Sequence, residues 1–208
     1  MNQAGLVRKT MIGMALRRQR AGSGSSTEFL RNRTARVEWP DLREVLGDVR
    51  CAVAGAVATR HYMPERVTQD LDMVIAVGDA AAARQRLQAA GWDFRGELSI
   101  GGSSWASPDG VALDLVEGQE TWWSRAIEAA QTNLDRQGLP VLPLPFLVLM
   151  KFRSGRTQDM ADVSRMLGQA DQAQLDETHE LFGAEEPGGL EDLQSLIYLG
   201  QLEMGSAR

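Results

Sequence analysis

Two aspartates flank one leucine in the segment RVTQDLDMVI, which spans residues 66–75. Side chains alternate between the two faces of a β-strand, so Asp70 and Asp72 share one face if this segment is extended. Neighbouring carboxylates on one face repel each other, and a bound cation would offset that repulsion. The alternative interpretation is a solvated, polar entrance to a buried strand that binds no ligand.

A third acid, Asp114, lies at the centre of the apolar run VALDLVE, residues 111–117. Val111, Leu113 and Leu115 share one face of this predicted strand, and Asp114 lies on the other. A lone carboxylate in an apolar strand is costly to bury, although a structural ion pair would offset that cost. Three carboxylates on neighbouring strands suit Mg²⁺, which binds oxygen ligands together with substrate phosphates. Metal ions held there would support a phosphoryl or nucleotidyl transfer.

A pair of small residues, Gly55-Ala56, follows the apolar run VRCAVA, residues 49–54. We expect this run to form a buried strand that ends at Gly55, with a helix opening at Ala56. The small residues would let a triphosphate approach the backbone, whose free N–H groups and helix dipole favour anions. The pair therefore predicts a phosphate-binding turn just before the aspartate strand.

The composition is that of an ordinary globular protein, with 208 residues, 43% hydrophobic residues and a net charge of −6. The single Cys51 excludes an internal disulfide and is interpreted as a packing residue, which favours a cytoplasmic location. One cysteine and two distant histidines argue against a zinc site. No apolar stretch approaches the roughly 20 residues needed to span a bilayer, so we expect no membrane association.

Three regions of the chain differ in character. Residues 1–36 carry eight Lys or Arg and one acid, which predicts a basic, flexible leader rather than a nucleic-acid-binding arm. Residues 37–143 alternate strand-like and helical segments and predict a mixed core. Residues 144–208 show helical spacing, which predicts a helical C-terminal region. The fold class is therefore α+β, with a small mixed sheet, flanking helices and a helical region behind it.

The ordered set of these motifs resembles the nucleotidyltransferase (polymerase β-like) superfamily. A small-residue turn after a strand, an Asp-apolar-Asp strand and a third acid on a later strand form its pattern. The R-x-T-x-D-h-D sequence from Arg66 to Asp72, where h is apolar, is similar to the minimal bacterial forms, the AbiEii-type toxins of type IV toxin–antitoxin systems. The later helix with Lys151 and Arg156 is also similar to theirs. The resemblance covers about residues 50–167.

The resemblance implies a role for each matching residue. Asp70 and Asp72 would be metal ligands, and Asp114 would be a third ligand or the general base for the acceptor hydroxyl. Lys151 would face the triphosphate with its compact ammonium, unless it is a helix-surface lysine. The family usually has serine or glycine where this chain has Ala56, so a hydroxyl contact to phosphate is lost. The residues implied in nucleotide binding are Gly55, Ala56, Arg66, Thr68 and Arg156.

The resemblance further implies a Mg²⁺-dependent nucleotidyltransferase with a sheet of the type found in that superfamily. Such an enzyme moves NMP from an NTP to a hydroxyl acceptor, here a tRNA, a protein or a small molecule. The minimal bacterial forms imply a toxin with a cognate antitoxin. Two alternatives stay open: an antibiotic-modifying nucleotidyltransferase, and a catalytically silent nucleotide- or partner-binding module of the same fold.

Overall fold

The computed structural model of the protein describes residues 3–18, 38–64 and 68–204. The helices are α1 Gln3–Arg18, α2 Arg43–Leu46, α3 Gly55–Thr59, α4 Ala80–Ala89, α5 Trp123–Ala130, α6 Leu144–Ser154, α7 Thr157–Leu167, α8 Gln172–Glu185 and α9 Leu190–Met204. The strands are β1 Cys51–Val53, β2 Asp70–Ala76, β3 Asp93–Glu97, β4 Gly102–Ala106 and β5 Ala112–Gly118. These elements confirm the predicted α+β class, with a mixed sheet, flanking helices and a helical C-terminal region.

The described residues divide into two compact units. A helical unit contains residues 3–18, 62–64 and 144–204, and a sheet unit contains residues 38–61 and 68–143. The predicted domain boundaries after residues 36 and 143 stay a prediction.

The sheet unit is built on five strands in the order β1-β2-β5-β4-β3. Strands β2 and β5 are parallel, and every other neighbouring pair is antiparallel. A parallel pair needs a long crossover, and here α4 and the β3–β4 hairpin provide it. Leu71, Met73 and Ile75 alternate with the acids of β2 and are buried, so one face of this strand belongs to the core. The topology therefore sets the two acid-bearing strands side by side.

Helix α5 packs on the sheet through an apolar face that recurs every three or four residues. The indole Nε1 of Trp123 donates a hydrogen bond of 2.9 Å to the carbonyl oxygen of Ile75. Its ring lies over Gly118, where a Cβ atom would approach the ring to 1.8 Å. Trp122 and Trp123 are both buried. This tryptophan pair is therefore part of the core of the sheet unit.

Helix α1 packs within the helical unit. The Arg8 Nε donates a hydrogen bond of 2.8 Å to Asp192 in α9, and its guanidinium lies 3.9 Å from the centre of the Phe152 ring. The predicted flexible leader covered residues 1–36, and residues 3–18 of that segment form this helix. Residues 19–36 lie outside the described part of the chain.

The single cysteine is a core residue. Cys51 lies in β1 with 1% of its surface exposed, and burial raises the pKa of its thiol to about 12. This agrees with the predicted packing role, because the nucleophilic thiolate is scarce at such a pKa. Among the described helices, none combines the length and the apolar character needed to cross a membrane.

Candidate active site

Strands β2 and β5 bring the three predicted acids together. Asp72 lies directly opposite Asp114 in the parallel register, and Asp70 lies two residues earlier on the same face of β2. One carboxylate oxygen from each residue lies within 4.8 Å of the other two. None of the three side chains is fully buried. A ligand from solvent can therefore reach all three carboxylates.

The chemistry of this donor set fits a hard divalent cation. Mg²⁺ prefers oxygen ligands at 2.0–2.1 Å, so neighbouring ligand oxygens around it lie about 3 Å apart. The carboxylate oxygens of Asp70, Asp72 and Asp114, within 4.8 Å of one another, approach that spacing. Three like charges at this separation repel each other, and a cation between them reverses the sign of the interaction. These residues could hold Mg²⁺ in the way the sequence predicts.

Gly55 lies against one of these carboxylates. It is the first residue of α3 and has φ +57°, a conformation that favours glycine. A Cβ atom at this position would lie 1.6 Å from Oδ2 of Asp72. The residue just before Gly55 is also tied to β2, because the Ala54 N–H donates a 2.8 Å hydrogen bond to the carbonyl oxygen of Asp72. Gly55, for which the sequence predicts phosphate approach, makes room for the Asp72 carboxylate in this structure.

Helix α3 begins one residue earlier than predicted and has only five residues. So short a helix has a weak dipole, and the predicted attraction of phosphate to its N-terminus contributes little. Ala56 is 4% exposed, so its side chain belongs to the core. The nucleotide-binding roles of Gly55 and Ala56 stay predictions.

Thr68, which lies just before β2, is another of the residues that the resemblance implies in nucleotide binding. The Oγ1 atom of Thr68 lies 2.5 Å from Oδ1 of Asp70, so its hydroxyl donates to that carboxylate. Arg66 lies outside the described residues. The nucleotide-binding roles predicted for Thr68 and Arg66 were assigned by resemblance and stay predictions.

The structure places Lys151 and Arg156 in the helical unit. Lys151 is 2% exposed, and its Nζ donates hydrogen bonds of 2.8 Å to Asp159 and 2.9 Å to Asp162. Arg156 and Ser154 donate to the second oxygen of Asp159, each at 2.5 Å. Lys151 is therefore not a helix-surface lysine, and that alternative is wrong. The predicted contacts of Lys151 and Arg156 with phosphate stay predictions.

This buried ion-pair cluster changes the titration of one of its acids. Burial alone would raise the pKa of Asp159 above its ordinary value. The charge and the hydrogen bond of Lys151, together with hydrogen bonds from Ser154 and Arg156, outweigh that effect and lower the pKa below that value. Asp159 therefore stays ionised at neutral pH and balances the buried ammonium.

Sequence reasoning missed Ser104, which lies directly opposite Asp114 on β4. The residue facing Ser104 on β3 is Gly96, and a Cβ atom there would have no neighbour within 4 Å. Ser104 thus shares the acid face next to Asp114. The sequence Pro108-Asp109-Gly110 is typical of a turn. It could have revealed the position of Ser104, because the pairing of the two flanking strands can be counted outward from the turn.

Gly55→Ala is expected to weaken the binding of a divalent cation about 10- to 100-fold, as is usual when a group that orients a metal ligand is changed. The new Cβ would overlap the Asp72 carboxylate and force it away from Asp70 and Asp114. The measurement is a Mn²⁺ titration followed by electron paramagnetic resonance.

Gly138→Ala is the matched control for this substitution. Gly138 also has a positive φ, +77°, but a Cβ atom there meets no atom within 4 Å. The Gly138→Ala variant reproduces the backbone strain of an alanine at positive φ without overlap with a neighbouring side chain. We expect its cation affinity to equal that of the wild type. Equal affinity of the Gly55→Ala and Gly138→Ala variants would contradict the assignment of Gly55.

Comparison with known proteins finds only distant structural matches. No protein-family profile and no curated protein sequence matches this chain. The crystal structure of ANT(2'')-Ia in complex with adenylyl-2''-tobramycin is 12% identical, with a TM-score of 0.41 over 73% of this chain and 88% of that one. The solution structure of the antibiotic-resistance factor ANT(2'')-Ia is 13% identical, with a TM-score of 0.43 over 73% and 83%. Terminal uridylyl transferase 4 from Trypanosoma brucei with bound GTP is 12% identical, with a TM-score of 0.30 over 80% and 57%.

Proposed function

We propose that this protein is a divalent-cation-dependent nucleotidyltransferase that moves NMP from an NTP to a hydroxyl acceptor. The observation that carries the proposal is the convergence of the Asp70, Asp72 and Asp114 carboxylates within 4.8 Å on one face of two parallel strands. Like charges held together destabilise a fold, and such arrangements cluster at functional sites. The proposed cation is Mg²⁺, because the donor set consists of carboxylate oxygens.

The proposed mechanism divides the work among the three acids. Asp70 and Asp72 would bind the cation, and Asp114 would bind it too or take the proton of the acceptor hydroxyl. The acceptor oxygen forms a bond to the α-phosphorus, the bond from that phosphorus to the bridging oxygen breaks, and pyrophosphate leaves. Mg²⁺, when bound, would neutralise charge on the phosphate oxygens. Asp114 suits the role of base because it lies beside Asp72 and is only partly buried.

The acceptor we favour is a protein or a small molecule rather than a large nucleic acid. The net charge is −6, and residues 1–36 alone contribute +7, so the rest of the chain is strongly acidic. An acidic body disfavours an extended phosphate-binding surface, although the 3′ end of a tRNA needs only a small one. Tobramycin belongs among the small molecules to be tested, since the ANT(2'')-Ia complex contains its adenylyl derivative.

The test is incubation of the full chain with Mg²⁺ and each labelled NTP in turn. The acceptors are a tRNA pool, a bacterial protein extract and tobramycin. We expect transfer of label from one NTP, release of pyrophosphate, and loss of both when EDTA removes the cation. Absence of label transfer and of pyrophosphate release with every combination would contradict the proposed activity. Calorimetric binding of Mg·NTP without pyrophosphate release would indicate the silent binding module instead.

Expression in bacteria separates two biological roles for the same transfer. A toxin slows growth when no drug is present, and co-expression of its cognate antitoxin restores growth. An antibiotic-modifying enzyme leaves growth unchanged and raises the tolerated drug concentration. We propose the toxin role on the basis of the R-x-T-x-D-h-D sequence, and drug tolerance without growth inhibition would overturn it.

A further inference from the structure

The contact between Thr68 and Asp70 has the geometry of a strong hydrogen bond. The Thr68 Oγ1 atom lies 2.5 Å from Oδ1 of Asp70 and 3.5 Å from the backbone oxygen of the same residue. A distance of 2.5–2.7 Å is typical of a hydroxyl that donates to an ionised carboxylate. The much shorter distance directs the hydroxyl proton at the side chain rather than at the backbone.

The Asp70 carboxylate needs a hydrogen-bond donor to fix its orientation more than the carboxylates of Asp72 and Asp114 do. It is the first residue of β2, and its partner in β5 is Ala112, whose methyl group offers no polar contact. Asp72, by comparison, lies against Gly55 and faces Asp114. Repulsion from the other two carboxylates favours rotation of the Asp70 side chain away from them. The Thr68 hydroxyl opposes that rotation by holding one oxygen.

We infer that Thr68 is a positioning residue that holds the Asp70 carboxylate for cation binding, and that it does not donate to the nucleotide. This inference rests on the proposed function. A hydroxyl has one proton, so while Thr68 donates to Asp70 it cannot also donate to a phosphate oxygen. The bond engages one oxygen of Asp70 and leaves the second oxygen for the cation. Thr68 therefore acts through Asp70, in contrast to the nucleotide contact that the resemblance implies.

The first experiment measures Mn²⁺ affinity without nucleotide, by electron paramagnetic resonance, in Thr68→Val and Thr68→Ser. Valine keeps the shape of threonine and removes the hydroxyl, whereas serine keeps the hydroxyl. We expect Thr68→Val to bind Mn²⁺ about 10- to 100-fold more weakly, the usual loss when a group that orients a metal ligand is removed. We expect Thr68→Ser to bind close to wild type. Thr132→Val is the control, since the Thr132 hydroxyl donates to the backbone oxygen of Ala129.

The second experiment separates a positioning role from a phosphate contact. Turnover of each variant is measured against NTP concentration at saturating Mn²⁺. A positioning role predicts that excess cation restores the Thr68→Val variant, with an unchanged KM for NTP. A phosphate contact predicts a raised KM for NTP that excess cation does not correct, together with wild-type affinity for Mn²⁺. The second result would overturn the inference.

The outcomes also distinguish failure of this inference from failure of the proposed function. Mn²⁺ binding by wild type and its loss in Asp72→Asn, with wild-type affinity in Thr68→Val, would overturn only the role of Thr68. Absence of Mn²⁺ binding by the wild type would overturn the cation site and the inference together. Equal weakening in Thr68→Ser and Thr68→Val would also overturn the inference, because serine retains the donor.

Discussion

Asp72→Asn is expected to abolish nucleotidyl transfer and to leave the fold intact. The substitution removes the charge of one of the three proposed cation ligands and keeps the size of the side chain, so it changes the chemistry of the site with little change in packing. We expect kcat/KM to fall by at least about 1,000-fold, equivalent to about 4 kcal/mol of lost transition-state stabilisation. The measurement is steady-state release of pyrophosphate with the NTP and acceptor found for the wild type.

The melting temperature separates this functional effect from simple unfolding. Three carboxylates within 4.8 Å of one another repel, by on the order of 1–3 kcal/mol for each pair of partly exposed charges. Removal of one charge relieves two of these repulsions, so the cation-free Asp72→Asn variant should melt at or above the temperature of the wild type. Asp109→Asn makes the same chemical change in the exposed β4–β5 turn and should retain full activity. Full activity of Asp72→Asn would contradict the proposed function.

Local patterns predict those parts of the sheet unit in which short-range sequence determines conformation. The alternation in DLDMVIAV predicts a strand over residues 70–77, and the structure has β2 at Asp70–Ala76. The alanine-rich segment predicts a helix over residues 79–91, and α4 covers Ala80–Ala89. The convergence of Asp70, Asp72 and Asp114 was expected only on the assumption that their strands are neighbours.

Strand order and burial are the properties that local patterns leave undetermined. Strands β2 and β5 are parallel and more than 30 residues apart, and sequence spacing does not specify such a pairing. The overlap between a Cβ at residue 55 and Asp72 depends on the same long-range packing. Periodicity shows that Gly55 follows a strand, but not which side chain lies against it.

The buried lysine illustrates the same limit in the helical unit. An isolated Lys151 in an apolar helix is equally compatible with a surface position and with a buried ion pair. Its burial depends on two acids in the next helix, Asp159 and Asp162, for which Arg156 and Arg165 are the nearest cations along the sequence. Arg156 does pair with Asp159, whereas Arg165 pairs with Glu203 at 2.9 Å. Partner choice therefore depends on how α7 packs against its neighbours.

Lys151→Met is expected to lower the free energy of unfolding of the helical unit by about 3–5 kcal/mol, the usual result when one partner of a buried ion pair is removed. Methionine fits the apolar part of the site but leaves Asp159 and Asp162 buried without the ammonium that donates to both. The measurement is urea unfolding followed by far-ultraviolet circular dichroism, which reports on helices. All five tryptophans lie in the sheet unit, so their fluorescence does not report on this transition.

The pH dependence of the stability difference, together with a surface control, tests whether loss of the ion pair causes the destabilisation in Lys151→Met. The pKa of Asp159 in the folded protein is lower than its ordinary value of 3.8. Its contribution to the free energy of unfolding is therefore complete above pH 3.8 and is lost as the pH falls through the folded pKa. The difference between wild type and Lys151→Met should therefore be largest near neutral pH and narrow below pH 3.8. Arg165→Met removes a partly exposed partner of Glu203 and should cost at most about 1 kcal/mol. A difference that stays constant with pH would mean that lost packing around residue 151, and not the charge of the ammonium, causes the destabilisation.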